Sequence, residues 1–193
     1  RTRTQALAWQ KQLREKLVCR LCNGLPVVTS HRNLCKARRC RWPELPARWT
    51  TKDNLHLTLA FLGNTSDQEL VPVCDAMRQI GARHNPFTLH CNRIEYGPSS
   101  KNPRMIWILF EKSPQLLDLQ KDVAETLRVE QEQSFTPHLT LARLRAFELQ
   151  KMELEELPDI NEDISLSCEV QSIEVMESTP RRSGSEYSVI QSF

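Results

Sequence analysis

The pentapeptide His-Leu-Thr-Leu-Ala occurs twice in this chain, as His56-Leu57-Thr58-Leu59-Ala60 and as His138-Leu139-Thr140-Leu141-Ala142. Leu62 and Leu144 follow at the same offset. Alternation of apolar and polar side chains marks a half-buried strand. With period two, His56, Thr58 and Ala60 share one face, and Leu55, Leu57, Leu59 and Phe61 share the other. In the second copy His138, Thr140 and Ala142 lie opposite Leu139, Leu141 and Arg143. A buried leucine face holds such a strand in place and leaves an imidazole and a hydroxyl on its other side. Two such strands facing each other bring together two imidazoles and two hydroxyls, enough for acid–base chemistry at a phosphate. Chance repetition of common strand residues is a poor account of the match, because histidine occurs only 5 times in 193 residues and recurs in register.

The flanking sequence predicts the elements around the repeat. Residues 4–17 carry Ala6, Leu7, Leu13 and Leu17 at roughly helical spacing and read as a helix. Residues 18–48 sustain no period. A polar turn over 49–54 leads into a strand over 55–62, ended by Gly63-Asn64. Ser66 and Glu69 form a capping box that opens a helix to about Ala82, with Leu70, Val73, Cys74, Met77 and Ile80 as its apolar stripe. Residues 87–95 alternate and read as a strand, and residues 104–111 are apolar enough to be a buried central one. Ser113-Pro114 is an N-cap followed by proline at the first helical position, starting a helix to about residue 130. After the second repeat come an acidic irregular stretch over 145–163, a strand over 166–176, a basic turn and a last strand over 186–193. The expected fold is α+β, with two pseudo-symmetric lobes of antiparallel sheet plus helices around a central cleft.

At 39% hydrophobic and 26% charged, the composition is that of a globular protein. No apolar run approaches membrane-spanning length and no basic-then-apolar leader opens the chain, so a cytoplasmic protein without a membrane partner is expected. The net charge of +2 hides an asymmetry. Residues 1–48 hold 12 Lys or Arg against 2 acids, and the remainder 14 against 22. A basic segment beside an acidic body suits a polyanion partner, and equally a solvated arm. Seven cysteines without a leader point to reduced thiols. Cys19-x2-Cys22 and Cys35-x4-Cys40, with His31 between, imitate a zinc site; the competing reading is of ordinary small apolar side chains.

The two stretches Asn54-Leu55-His56-Leu57-Thr58-Leu59-Ala60-Phe61-Leu62-Gly63 and Phe135-Thr136-Pro137-His138-Leu139-Thr140-Leu141-Ala142-Arg143 closely resemble the two signature motifs of the two-histidine (2H) phosphoesterases. Within that superfamily the chain resembles the bacterial and archaeal RNA 2′,3′-cyclic phosphodiesterases, also called 2′-5′ RNA ligases. The likeness covers about residues 42–193, including Arg48-Trp49 and Met105-Ile106-Trp107. The resemblance implies a two-lobed α+β fold and hydrolysis of RNA 2′,3′-cyclic phosphate ends, tRNA halves among them, to 2′-phosphates. It implies no metal or other cofactor and a monomer. By similarity His56 is the proton donor to the leaving 3′ oxygen, His138 accepts a proton from water, and Thr58 and Thr140 bind the non-bridging oxygens. Arg143 adds a cationic donor to the phosphate, or else a surface ion pair. Trp49 or Phe135 would stack on a base, or fill core. The same groups would also serve 2′-5′ ligation or cleavage of other cyclic nucleotides and 2′-5′ oligonucleotides. A different class of reading makes residues 1–48 a zinc-clamped, non-catalytic RNA-binding module.

The N-terminus departs from the family pattern, which begins with an apolar strand. Residues 1–41 read as an atypical basic, Cys-rich segment and 42–193 as the phosphoesterase domain. Real divergence, a zinc-bearing insertion and a frame or gene-model error over about 18–41 are the competing accounts. Loss of a central first strand would expose sheet edges and lower stability.

Overall fold

The computed structural model describes residues 13–21, 42–129, 135–181 and 184–193. In chain order its main elements are β1 (Leu13–Leu21), β2 (Ala47–Trp49), β3 (Leu57–Ser66), α1 (Asp67–Arg83), β4 (Phe87–Gly97), β5 (Met105–Phe110), α2 (Pro114–Thr126), β6 (His138–Leu144), α3 (Ala146–Leu149), β7 (Asn161–Val170), β8 (Ile173–Arg181) and β9 (Gly184–Ser192). The expected α+β architecture is present. The strands pair antiparallel in the order β7-β4-β5-β6-β3-β1-β8-β9, with β2 added alongside β6. The halves β7-β4-β5-β6 and β3-β1-β8-β9 meet where β6 pairs with β3, and that junction is a single pair, Leu57 against Leu139. Each of these leucines directly follows a histidine of the repeat.

The leucines of the two pentapeptides anchor this junction. Leu57, Leu59, Leu139 and Leu141 are all buried in one core cluster with Met77 and Ile80 of α1 and Leu116, Leu119 and Val123 of α2. Full burial of such a side chain contributes about 1.5–3 kcal/mol. The helices start where the local chemistry directs them. Ser66 Oγ accepts from Glu69 N while Glu69 accepts from Ser66 N at 2.8 Å, which completes the capping box. Ser113 Oγ accepts from Leu116 N ahead of Pro114.

The two helices are tied together at their surface. Arg83 and His84, at the end of α1, donate to Asp122 of α2 at 2.7 and 2.9 Å, and Thr126 Oγ1 adds 3.2 Å. Burial pushes the Asp122 pKa up, but the Arg83 guanidinium, the His84 ring and the Thr126 hydroxyl together hold its carboxyl below the usual value. A depressed carboxylate pKa adds stability above the unfolded value of about 3.9 and loses it as pH falls through the folded value. Asp122→Asn is therefore expected to lower stability at neutral pH by about 1 kcal/mol, discounted for the half-exposed Arg83. Urea melts of both proteins measure this, and the difference should vanish in acid.

Three sequence expectations are corrected. Residues 13–17, read as part of a helix, belong to strand β1, which pairs with β3 on one side and β8 on the other. Two strand edges need a partner there, and that tertiary demand overrides a weak helical period. The first strand taken to be missing is thus in place. Second, residues 166–176 are not one strand. β7 ends at Val170, β8 begins at Ile173, and they pair with β4 and β1 in opposite halves of the sheet. Third, Gly63 does not end β3. It adopts a left-handed φ of 71° inside the strand, which continues to Ser66. The rest of the helix expected over 4–17 and most of the atypical segment over 18–41 lie outside the described residues.

Candidate active site

Both pentapeptides carry the same departure from a regular strand, and it shapes the cleft. In β3, Thr58 pairs with Arg20 and Ala60 with Cys19, leaving Leu59 without a partner position. In β6, Thr140 pairs with Trp107 and Ala142 with Ile106, leaving Leu141 over. A one-residue bulge resets the alternation beyond it. Ala60 and Ala142 are therefore buried, while Phe61 and Arg143 emerge on the side of the histidines. Period two alone placed both on the leucine face, so this too is a correction. Phe61 is 66% exposed at the rim.

His56, Thr58, His138 and Thr140 line one cleft of about 620 Å³, together with Arg48, Trp49, Phe61, Trp107, Arg143 and Tyr187. The Leu57–Leu139 pair explains the convergence. Continued by one residue either way, that antiparallel register sets each histidine against the threonine of the other copy.

The two imidazoles are held alike from the backbone. His56 Nδ1 lies 2.8 Å from the Asn54 carbonyl, and His138 Nδ1 lies 2.8 Å from the Thr136 carbonyl. A carbonyl oxygen only accepts, so Nδ1 carries the proton in both rings. Nε2 is then the atom that accepts a proton in the neutral ring and donates one in the charged ring. The rings differ in what backs them. Trp107 of β5 stacks on His138 with centroids 3.9 Å apart and planes at 22°. Tyr187 of β9 meets His56 edge-on at 4.5 Å and 61°. Burial pushes the His138 pKa down; the Thr136 carbonyl pushes it partly back up and the Arg143 charge pushes it further down. His138 is thus biased toward the neutral form.

The Trp107 indole rests on Gly97 of β4, whose position admits no side chain, because a Cβ there would overlap the indole ring. Thr140 Oγ1 and Arg143 Nη1 both approach Met105 Sδ, at 3.8 and 3.4 Å.

The sequence model for LigT-like phosphoesterases matches residues 29–107 and again residues 109–187, one copy of the repeat in each match. The chain belongs to the LigT-like phosphoesterase family. It is 26% identical over 162 residues to an RNA 2′,3′-cyclic phosphodiesterase of Aquifex aeolicus, covering 78% of this chain and 82% of that one. It is 32% identical over 104 residues to an RNA 2′,3′-cyclic phosphodiesterase of Geobacillus stearothermophilus, covering 51% of this chain but only 33% of that one. Among solved structures, TT0787 of Thermus thermophilus is similar with a TM-score of 0.75 and 22% identity, over 92% of this chain and 96% of that one. E. coli LigT complexed with 3′-AMP gives 0.68 and 23%, over 93% and 97%. These likenesses carry the fold.

In this LigT-like cleft the sequence-predicted residues divide. Trp49 and Arg143 line it with the four His and Thr residues. Phe135 packs against the core and is not among the lining residues. Three aromatic residues were not foreseen. The signal for Phe61 was its offset, five residues after the histidine like Arg143. Trp107 and Tyr187 sit on strands that only tertiary pairing brings beside the repeats. The zinc-like set Cys22, His31, Cys35 and Cys40 lies outside the described residues, and Cys19 is described only as a backbone position of β1. Among the described residues no three His, Cys, Asp or Glu side chains cluster as metal ligands, and no helix is long and apolar enough to cross a membrane.

Proposed function

We propose that this LigT-like phosphoesterase hydrolyses RNA 2′,3′-cyclic phosphate ends to 2′-phosphates by two-histidine acid–base catalysis. The observation that carries the reading is the pair of imidazoles lining one cleft, each with Nδ1 tied to a carbonyl and a threonine of the repeat beside it. Water attacks phosphorus as His138 Nε2 takes its proton. The P–O3′ bond breaks as His56 gives its Nε2 proton to O3′, leaving the phosphate on O2′. Thr58 and Thr140 donate hydrogen bonds to the non-bridging oxygens, where negative charge builds in the transition state. The depressed pKa of His138 favours its role as the base. Phe61 offers an exposed ring for a nucleobase at the rim.

Incubation with an RNA ending in a 2′,3′-cyclic phosphate tests the reading, with a terminal 2′-phosphate as the expected product. A 3′-phosphate product, or none, overturns it. The assignment of the base has its own measurement. A base with a lowered pKa stays deprotonated to lower pH, so the acid limb of kcat/KM should fall below the ordinary histidine value of about 6.5. A limb above that value would reverse the roles of the two rings.

A further inference from the structure

The two imidazoles are held by unlike parts of the fold. Trp107, which backs His138, is buried and comes from β5, the strand beside β6. Tyr187, which meets His56, comes from β9, and β9 is separated from β3 in the sheet by β1 and β8. The end of the β8–β9 hairpin makes this reach. Pairing of β8 with β1 runs only as far as Glu177, opposite Leu17. Beyond it β8 and β9 stay paired with each other, from Glu177–Ser188 out to Arg181–Gly184. The Arg181–Glu186 ion pair, at 3.1 Å, braces this arm across its two strands. Ser185 and Tyr187 lie two residues apart on it, share a face and both line the cleft.

The arm meets the His56 side of the cleft at two points. Asn54 Nδ2 donates to the Ser185 carbonyl at 3.4 Å, and the carbonyl of the same Asn54 accepts from His56 Nδ1 at 2.8 Å. The Tyr187 ring meets the imidazole itself, edge-on at 4.5 Å. A hydrogen bond at Nδ1 fixes one atom of the ring and still lets the ring swing about that bond. A second ring packed in the edge-on geometry that aromatic pairs prefer takes this freedom away. A proton donor works only with its Nε2 within hydrogen-bond reach of the leaving oxygen. A misplacement of about 1 Å costs a reaction on the order of 100-fold. Resting on the cyclic phosphodiesterase reading above, we infer that Tyr187 is a positioning residue for the proton donor His56, carried to it by the β8–β9 arm. The donor is then aimed by a hairpin arm and the base by the body of the sheet.

On an RNA ending in a 2′,3′-cyclic phosphate, Tyr187→Ala should lower kcat about tenfold, the factor to which one aromatic pair corresponds, with KM little changed. Tyr187→Phe keeps the ring and should keep most of kcat. A loss carried by KM alone, or a phenylalanine variant as slow as the alanine one, overturns the inference, because either would make Tyr187 a substrate contact. A double-mutant cycle separates positioning from general damage to the fold. A residue that acts through His56 has nothing left to act on once that ring is gone. The His56→Ala/Tyr187→Ala protein should therefore be no slower than His56→Ala, and losses that multiply overturn the inference. The histidine rings give a readout independent of turnover. In long-range proton–nitrogen NMR spectra, at a pH where the rings are neutral, native His56 should carry its proton on Nδ1. Tyr187→Ala should mix in the Nε2-protonated tautomer at His56 and leave His138 as it was. A His56 spectrum unmoved by Tyr187→Ala overturns the inference. Failure of the native protein to form a 2′-phosphate would instead overturn the phosphodiesterase reading, with the ring spectra still deciding whether Tyr187 holds His56.

Discussion

His56→Ala and His138→Ala should each lower kcat on a cyclic-phosphate RNA by about 10²–10⁴-fold, the usual worth of a positioned acid or base. Both side chains are only part-buried at a cleft wall, and the buried leucines beside them hold the strands, so circular dichroism and melting temperature should change little. The two losses should not add. Once either ring is gone the concerted proton transfers fail as a unit, so the double variant should be little slower than the worse single one. The two variants should differ in pH dependence. On the proposed roles, His138→Ala removes the base and should abolish the acid limb, whereas His56→Ala should abolish the alkaline one. Hydrolysis by either variant at the native rate would exclude the two-histidine mechanism.

Gly97→Ala is the second large effect, and it acts from behind the site. A methyl group there must push aside the Trp107 indole, which is stacked on His138. Overpacking of this kind costs about 1–3 kcal/mol, seen as a fall in melting temperature. The displaced indole also frees the His138 ring from its fixed position, so activity should fall further than the lost folded fraction explains. Trp107→Val in the Gly97→Ala background removes the ring atoms that the methyl group would meet. It should recover part of the stability and less of the rate. Equal recovery of both would show that Trp107 is packing alone and does not position His138.

Much of this was legible in the chain because the strongest local signals coincide with the strongest tertiary constraints. The pentapeptides named the two histidines and two threonines, and the capping box and the Ser113-Pro114 start opened helices where expected. What escaped was set by pairing between distant segments. The phase of the apolar positions slips from Leu166, Cys168 and Val170 to Ile173 and Val175, which is the trace of the crossing from β7 to β8. That slip is visible in sequence, but its meaning depends on which strands wait on either side. β1 was misread for the same reason: nothing within residues 13–17 outweighs the place between β3 and β8 that they fill. The bulges at Leu59 and Leu141 are likewise invisible to a strict two-residue period.

Those bulges have a consequence for how a duplicated protein serves a substrate that is not itself duplicated. Two copies of one pentapeptide create a site with matched halves, whereas the proposed substrate, the end of an RNA, has a polarity: base and sugar to one side, entering water to the other. The slipped register delivers one side chain per half to the mouth of the cleft, outside the leucine scaffold and apart from the two histidines. There the halves have diverged, to an aromatic ring at 61 and a guanidinium at 143. Direction can thus be written into the site at two positions without disturbing the symmetric chemistry beneath them. Exchanging the two residues is a route to redirecting which way a strand enters.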